Sequence, residues 1–238
     1  MRKFILSVLP VIVMSVVLVL TGCQNCIDGQ GNIETQTRSI DSFSKLEVNI
    51  NADIEIGVTS KNTMQIHAQK NVIDAITTKV KGDKLIIDAS PCLGNTEPVQ
   101  IKLFTTRLEE IELNGSGMVK TLHPVTTGDI ELELNGSGKL FADVYANKVE
   151  VELNGSGEII VNGTTNKQKV EIEGSGNYRA LGLRAFETEA KIEGSGIAHI
   201  SSLNKLNIKI TGSGEVIYSG NPELKTKITG SGKATKMD

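Results

Sequence analysis

From residue 106 onward, apolar and polar residues alternate with a period of two, and one tripeptide interrupts the alternation at regular intervals. Gly-Ser-Gly occurs at 115–117, 136–138, 155–157, 174–176, 194–196, 212–214 and 230–232, at steps of 21, 19, 19, 20, 18 and 18 residues. Two positions before each copy stand Leu113, Leu134, Leu153, Ile172, Ile192, Ile210 and Ile228. Four before stand Ile111, Leu132, Val151, Val170, Ala190, Ile208 and Thr226. Between the two columns lie Glu112, Glu133, Glu152, Glu171, Lys191, Lys209 and Lys227. Such alternation predicts strands with one buried and one solvated face. It resumes beyond the turn, as in Leu140/Ala142 and Ile159/Val161. Glycine supplies the positive φ of a sharp turn. A phosphate-cradling glycine loop occurs once, between a strand and a helix. Evenly spaced copies with strands on both sides are structural turns instead.

Antiparallel hairpins would place alternate turns at opposite ends, where they need not be alike. Stacked coils explain identical turns directly, since each coil repeats the last about 4.8 Å further along. The fold expected is therefore all-β, a parallel β-helix (β-solenoid) with repeats of about 19 residues. Asn114, Asn135 and Asn154, just before the turn, then stack and start an asparagine ladder. Residues 29–105 are strand-rich but less regular. Leu46/Val48/Ile50, Ile54/Ile56/Val58, Met64/Ile66/Ala68, Leu85/Ile87 and Val99/Ile101/Leu103 alternate, with a short helix expected within Asn71 to Val80. This stretch is expected to form irregular N-terminal coils that cap the solenoid, with 106–238 as the regular part of one domain spanning 29–238.

The start of the chain carries a different signal. Met1-Arg2-Lys3 precedes an almost wholly apolar run over residues 4–20, ending in Leu20-Thr21-Gly22-Cys23. At the lower limit of a membrane span, and with small residues directly before a cysteine, the run resembles a bacterial lipoprotein signal peptide, residues 1–22. The resemblance implies acylation of Cys23, a short linker over 23–28 and an address in the cell envelope. Gln24, rather than Asp, after the acylated cysteine points to the outer membrane where the host has two. Exported chains keep disulfides. With Cys23 taken by lipid, Cys26 and Cys92 remain as a candidate disulfide, against two free thiols.

Composition narrows the function. The 238 residues carry 25 basic and 28 acidic side chains, a formal charge of −3, which argues against a nucleic-acid partner. With 24 Gly but only 5 Pro, tight turns between short strands are expected, and 3 His with 3 Cys leave little for a transition-metal site. No metal or cofactor is assigned.

The repeated strand-Asn-Gly-Ser-Gly-strand units, the closing Tyr218-Ser219-Gly220-Asn221-Pro222 and the opening Gly29-Gln30-Gly31-Asn32-Ile33, followed by Arg38 and Phe43, resemble the auto-transporter adhesin head GIN domain family. The resemblance implies a right-handed β-helix and an envelope location, with no catalytic residues to carry over. The lipid on Cys23, in place of a membrane barrel, is the expected anchor.

The charged column is the candidate binding face: Glu112, Glu133, Glu152 and Glu171, then Lys191, Lys209 and Lys227, with Glu110, Glu131 and Glu150 alongside. Glycosidases use two carboxylates about 5 to 10 Å apart, a spacing that stacked coils provide by repetition. An active site normally interrupts a repeat with unlike groups, however, and there is no Trp to stack on a sugar ring. Carboxylate stripes also bind Ca²⁺, but the Asp-bearing nonapeptide of calcium-binding rolls is absent. Repulsion along the column predicts that Glu171→Gln is tolerated or slightly stabilising. His67, His123 and His199 have no ligand spacing, and Ser116 and its equivalents lack a His or Asp partner, so no catalytic residue is assigned. The expectation is a non-enzymatic, lipid-anchored binding solenoid with a glycan or protein partner outside the cell. The alternatives are a periplasm-facing envelope-maintenance lipoprotein and a carbohydrate-active enzyme.

Overall fold

The structure, a computed structural model, describes residues 26–237. The expected leader at 1–22, Cys23 and Gln24 lie outside the described residues. In chain order the N-terminal elements are β1 (Ile33–Ser39), β2 (Lys45–Val48), β3 (Asp53–Val58), β4 (Thr63–Gln69), α1 (Lys70–Ala75), β5 (Ile76–Lys81), β6 (Lys84–Ala89) and β7 (Gln100–Thr105). The regular part comprises β8 (Glu110–Gly115), β9 (Met118–Thr121), β10 (Val125–Gly136), β11 (Lys139–Gly155), β12 (Glu158–Gly174), β13 (Asn177–Gly194), β14 (Ile197–Gly212), β15 (Glu215–Ser219), β16 (Glu223–Gly230) and β17 (Lys233–Lys236).

The fold is an all-β parallel solenoid, as the repeat spacing requires. Each of β11 to β14 runs from one Gly-Ser-Gly to the next and bends round a whole coil, pairing in parallel with the coil before and after. Both glycines of the turn are required, for different reasons. Gly155 has φ +120°, and a Cβ there would lie 2.5 Å from the Gly136 carbonyl oxygen of the previous coil. Gly157 has ordinary φ, but its Cβ would meet Leu134 Cδ2 at 2.6 Å and Gly138 O at 2.7 Å. The turn thus nests on the turn beneath it: Ser156 N–H and Gly157 N–H both donate to Gly136 O at 3.0 Å.

The inward residues fill the coil. Leu113, Leu134, Leu153, Ile172, Ile192 and Ile210 stack as a column beside Ile111, Leu132, Val151, Val170, Ala190 and Ile208, all fully or nearly fully buried. Each large aliphatic side chain so placed contributes about 1.5–3 kcal/mol relative to exposure. One polar cluster crosses this interior: the buried Gln168 amide donates to Tyr178 OH at 2.6 Å and accepts from Thr188 Oγ1 at 3.2 Å. Burying an amide costs little only when it is hydrogen-bonded in this way.

The N-terminal third departs from coils stacked in chain order. β2 lies between β6 and β8, and β3 between β7 and β9, all in parallel. Residues 45–58 therefore sit inside the stack, beneath 110–121, while the later segment 84–105 forms the rung outside them. Antiparallel pairing closes the end: β5 on β6, β4 on β7, and β1 on β4. Helix α1 covers the end with Val72, Ile73 and Ala75 buried. It stops at Ala75 rather than reaching Val80, because Ile76–Lys81 pairs with β6 instead. The Arg38 guanidinium donates to Ile73 O at 2.9 Å and Ile76 O at 2.8 Å, satisfying carbonyls at the helix end. At the opposite end β16 pairs only with β14, leaving Leu224 and Ile228 exposed among Lys225, Lys227, Lys233 and Lys236. Lysines along such an edge discourage further pairing.

Candidate functional site

Parallel in-register pairing brings the charged positions into one column. Glu112 (β8) faces Glu133 (β10), followed by Glu152 (β11), Glu171 (β12), Lys191 (β13), Lys209 (β14) and Lys227 (β16). Neighbours are one rung, about 4.8 Å, apart. Glu47 on β2 extends the column by pairing with Glu112. A second column two residues earlier runs Lys84, Lys45, Glu110, Glu131, Glu150, Lys169 and Glu189.

The asparagine ladder borders the face and starts one rung earlier than the Gly-Ser-Gly alignment indicates. Asn114 Nδ2 donates to Asn49 Oδ1 at 2.8 Å, Asn135 to Asn114 at 2.9 Å and Asn154 to Asn135 at 2.8 Å. The same amides reach sideways: Asn49 donates to Glu47 at 2.9 Å, Asn114 to Glu112 at 2.9 Å and Asn135 to Glu133 at 2.7 Å. Each of these three amides therefore fixes the carboxylate two residues before it. The ladder ends where Glu173 takes the next position.

Two lysines divide the acidic stripe. Lys84 reaches Glu110 at 2.8 Å, Glu112 at 2.9 Å and Glu47 at 3.8 Å. Lys169 reaches Glu150 at 2.7 Å and Glu171 at 3.0 Å, and Lys191 reaches Glu171 at 3.4 Å. Burial opposes the ionised form of Glu112, but hydrogen bonds from Lys84 and Asn114 outweigh it and lower its pKa. Hydrogen bonds from Lys148 and Lys169 lower that of Glu150, and one from Lys169, with help from Lys191, lowers that of Glu171. Between the clamps the opposite holds. Burial, then the charges of Glu110 and Glu150, raise the pKa of Glu131. Burial, then Glu133 and Glu171, raise that of Glu152. The repulsion expected of the whole column is thus confined to its centre. Glu171 is a paired carboxylate, so replacing it with Gln removes attraction rather than repulsion, which corrects the expected sign.

A hollow of 540 Å³ follows this face past Lys45, Glu110, Glu131, Lys148 and Glu150. Among the described residues no three His, Cys, Asp or Glu side chains are grouped to hold a metal ion. What the face offers is a fixed array of carboxylates, amides and ammonium groups. His67 Nδ1 shares a hydrogen bond with Thr35 Oγ1 at 2.9 Å, far from that face in the antiparallel N-terminal end.

Cys26 and Cys92 form a disulfide with 4.5 Å between their Cα atoms. Backbone bonds reinforce it: Ile27 N–H to Cys92 O at 2.8 Å and Gly94 N–H to Ile27 O at 2.8 Å. Asn71 of α1 also donates to Asp28 O at 2.8 Å. Residues 26–30 are consequently tied to the capped end of the solenoid.

Residues 42–222 match the family model described as "Putative auto-transporter adhesin, head GIN domain". No curated protein matches the sequence. Among solved structures, a putative adhesin from Bacteroides fragilis NCTC 9343 superposes with a TM-score of 0.83 at 22% identity, covering 89% of this chain and 100% of that one. A structure described as a putative lipid binding protein, from Parabacteroides distasonis ATCC 8503, has a TM-score of 0.76 at 27% identity, covering 89% and 99%. A putative adhesin from Parabacteroides merdae ATCC 43184 has a TM-score of 0.73 at 21% identity, covering 89% and 99%.

Proposed function

The chain belongs to the auto-transporter adhesin head GIN domain family, and from that premise we propose that it is a non-enzymatic binding protein of the bacterial cell envelope, acylated at Cys23 and displayed from the outer membrane. The observation that carries this reading is the unbroken register of the outward face from Glu47 to Lys227. A surface that repeats every coil suits many weak, equivalent contacts, whose joint strength exceeds that of any one. Catalysis requires unlike groups converging on one reacting bond.

The disulfide adds an orientation. Only Gln24 and Asn25 separate Cys23 from Cys26, which is bonded to Cys92 at the capped end. Three residues span at most about 10 Å, so an acyl chain on Cys23 holds the capped end against the membrane. The lysine-bearing last coils then point away from it.

The test is adhesion. Cells lacking the chain should adhere less to their natural surface than wild type, and added soluble chain should compete with wild-type cells. Unchanged adhesion in both experiments would overturn the binding role.

A further inference from the structure

The edge opposite the Gly-Ser-Gly turns has a chemistry unlike the charged face. Between residues 122 and 219 the exposed large apolar side chains are Tyr145, Leu181, Phe186 and Leu203; Tyr145, Phe186 and Leu203 lie at this second corner, while Leu181 stands apart beside Asn162 and Arg179. The register places Tyr145 beside Thr164, and Thr164 beside Arg184, on successive coils. Two residues further along each strand stand Asn147, Asn166 and Phe186. Tyr145 and Phe186 are each about half exposed, at 49% and 50%. They are two coils apart, or about 10 Å along the axis.

Beside Tyr145 lies a hollow of 370 Å³ lined by Tyr145, Ala146, Asn147, Thr164, Thr165 and Asn166, and the register sets Phe186 one coil beyond Asn166. None of these side chains is charged, on a chain of which 22% of residues are. The amides are fixed in advance: Asn166 Nδ2 donates to Asn147 Oδ1 at 2.9 Å. That bond leaves Asn147 Nδ2 as a donor and Asn166 Oδ1 as an acceptor, on two exposed residues. Thr165 Oγ1 holds the bend between Asn147 O at 3.1 Å and Lys167 O at 3.0 Å, so the corner is stiff.

We propose that this corner is a saccharide-binding site, taking two or three neutral sugar units of a glycan chain laid along the solenoid axis across Tyr145, the Asn147–Asn166 pair and Phe186. The inference rests on the binding role proposed above and names its partner. Sugar rings have one apolar C–H face and hydroxyls round the rim, which calls for an aromatic ring beside paired donors and acceptors. Preorganised polar groups of that kind lose little entropy on binding. A membrane surface is the less suitable occupant. It would bury the Asn and Thr groups beside the rings without giving them hydrogen-bond partners, which is costly. The chain has no Trp to stack on a sugar ring, and the exposed Tyr145 and Phe186 take that part.

The test is an array of neutral oligosaccharides (glucose, mannose, galactose and N-acetylglucosamine oligomers of three to six units), probed with the full chain and its Tyr145→Ala and Phe186→Ala variants. Both positions are exposed, so thermal melting should match wild type. Binding to at least one series is expected, with each variant weakening it by about tenfold, as for loss of an anchoring aromatic, and Tyr145→Trp retaining it. Array binding unaffected by either variant would overturn this site while leaving the binding role standing. The same holds for absent array binding when the soluble chain still competes for adhesion, and for variants that lose only binding to phosphatidylcholine vesicles. A wild-type chain that neither binds the array nor competes for adhesion would overturn the site and the role together.

Discussion

The two parts of the solenoid are built from similar strands but assembled by different rules. In the regular part each coil pairs with the next one in the chain, so partners are 17 to 21 residues apart and equivalent positions of the repeat meet. In the N-terminal third, Val48 on β2 pairs with Ile87 on one side and Leu113 on the other. A segment is inserted beneath coils that follow it much later, and antiparallel strands and a six-residue helix finish the end. At the C-terminal end the repetition simply stops, in coils whose open edge carries lysines. The N-terminal end is instead closed by unlike parts, and those parts also hold the disulfide.

The sharpest way to break the regular part is to charge its interior. Ile172→Asp places a carboxylate between Leu153 and Ile192, at a cost of several kcal/mol, on the order of the whole stability. Circular dichroism should show loss of the strand signal. A folded Ile172→Asp variant would refute the assignment of inward and outward faces.

Glycines separate the two parts next. Gly155→Val meets both a positive φ and the carbonyl of the coil beneath, and should destabilise by about 3 kcal/mol or more in urea unfolding. Gly82, in the β5–β6 hairpin, has φ +63° with open space around its Cβ position. Asn tolerates that left-handed conformation, so Gly82→Asn should cost less than about 1 kcal/mol.

Removing the disulfide should act on the capped end alone. Cys26→Ser with Cys92→Ser opens a loop with a sequence separation of 66 and is expected to cost about 2–4 kcal/mol. Hydrogen exchange should quicken first in β1, β4 and α1, while β11 to β14 keep their protection. Equal acceleration throughout would show that the two parts unfold as one.

The smallest effects have opposite signs. The pKa of Glu152 is raised in the folded chain, so its contribution to stability is present below the ordinary carboxylate range and lost as pH rises through the raised value. Glu152→Gln should therefore stabilise at pH 7 by a few tenths of a kcal/mol after solvent screening, and the gain should vanish in acid. The pKa of Glu171 is lowered, so its contribution is present above that range and lost as pH falls through the lowered value. Glu171→Gln should destabilise at pH 7 by a similarly small amount, shrinking in acid. Melting curves at pH 7 and pH 3 measure both.

What could be read from the sequence follows the same division. The solenoid, its inward columns, the seven charged positions and the ladder through Asn154 were legible because stacking turns a linear repeat into a spatial column. The rung at Leu46-Glu47-Val48-Asn49 repeats the pattern of Ile111-Glu112-Leu113-Asn114, but no Gly-Ser-Gly follows it, so an alignment on that turn passes over it. The clamps by Lys84 and Lys169 were not legible. Each depends on a neighbouring column, and for Lys84 on a rung placed out of chain order. The corner at Tyr145 and Phe186 was hidden for a related reason. Its residues recur in register but not in type, and only exposure distinguishes them from core aromatics such as Tyr178.

Display outside the cell is the central claim, and protease shaving of intact cells tests it most directly, with a periplasmic protein as control. The account predicts that the solenoid is released while the control remains protected. Protection of the solenoid until the outer membrane is opened would contradict it, and would place the charged face and the aromatic corner in the periplasm.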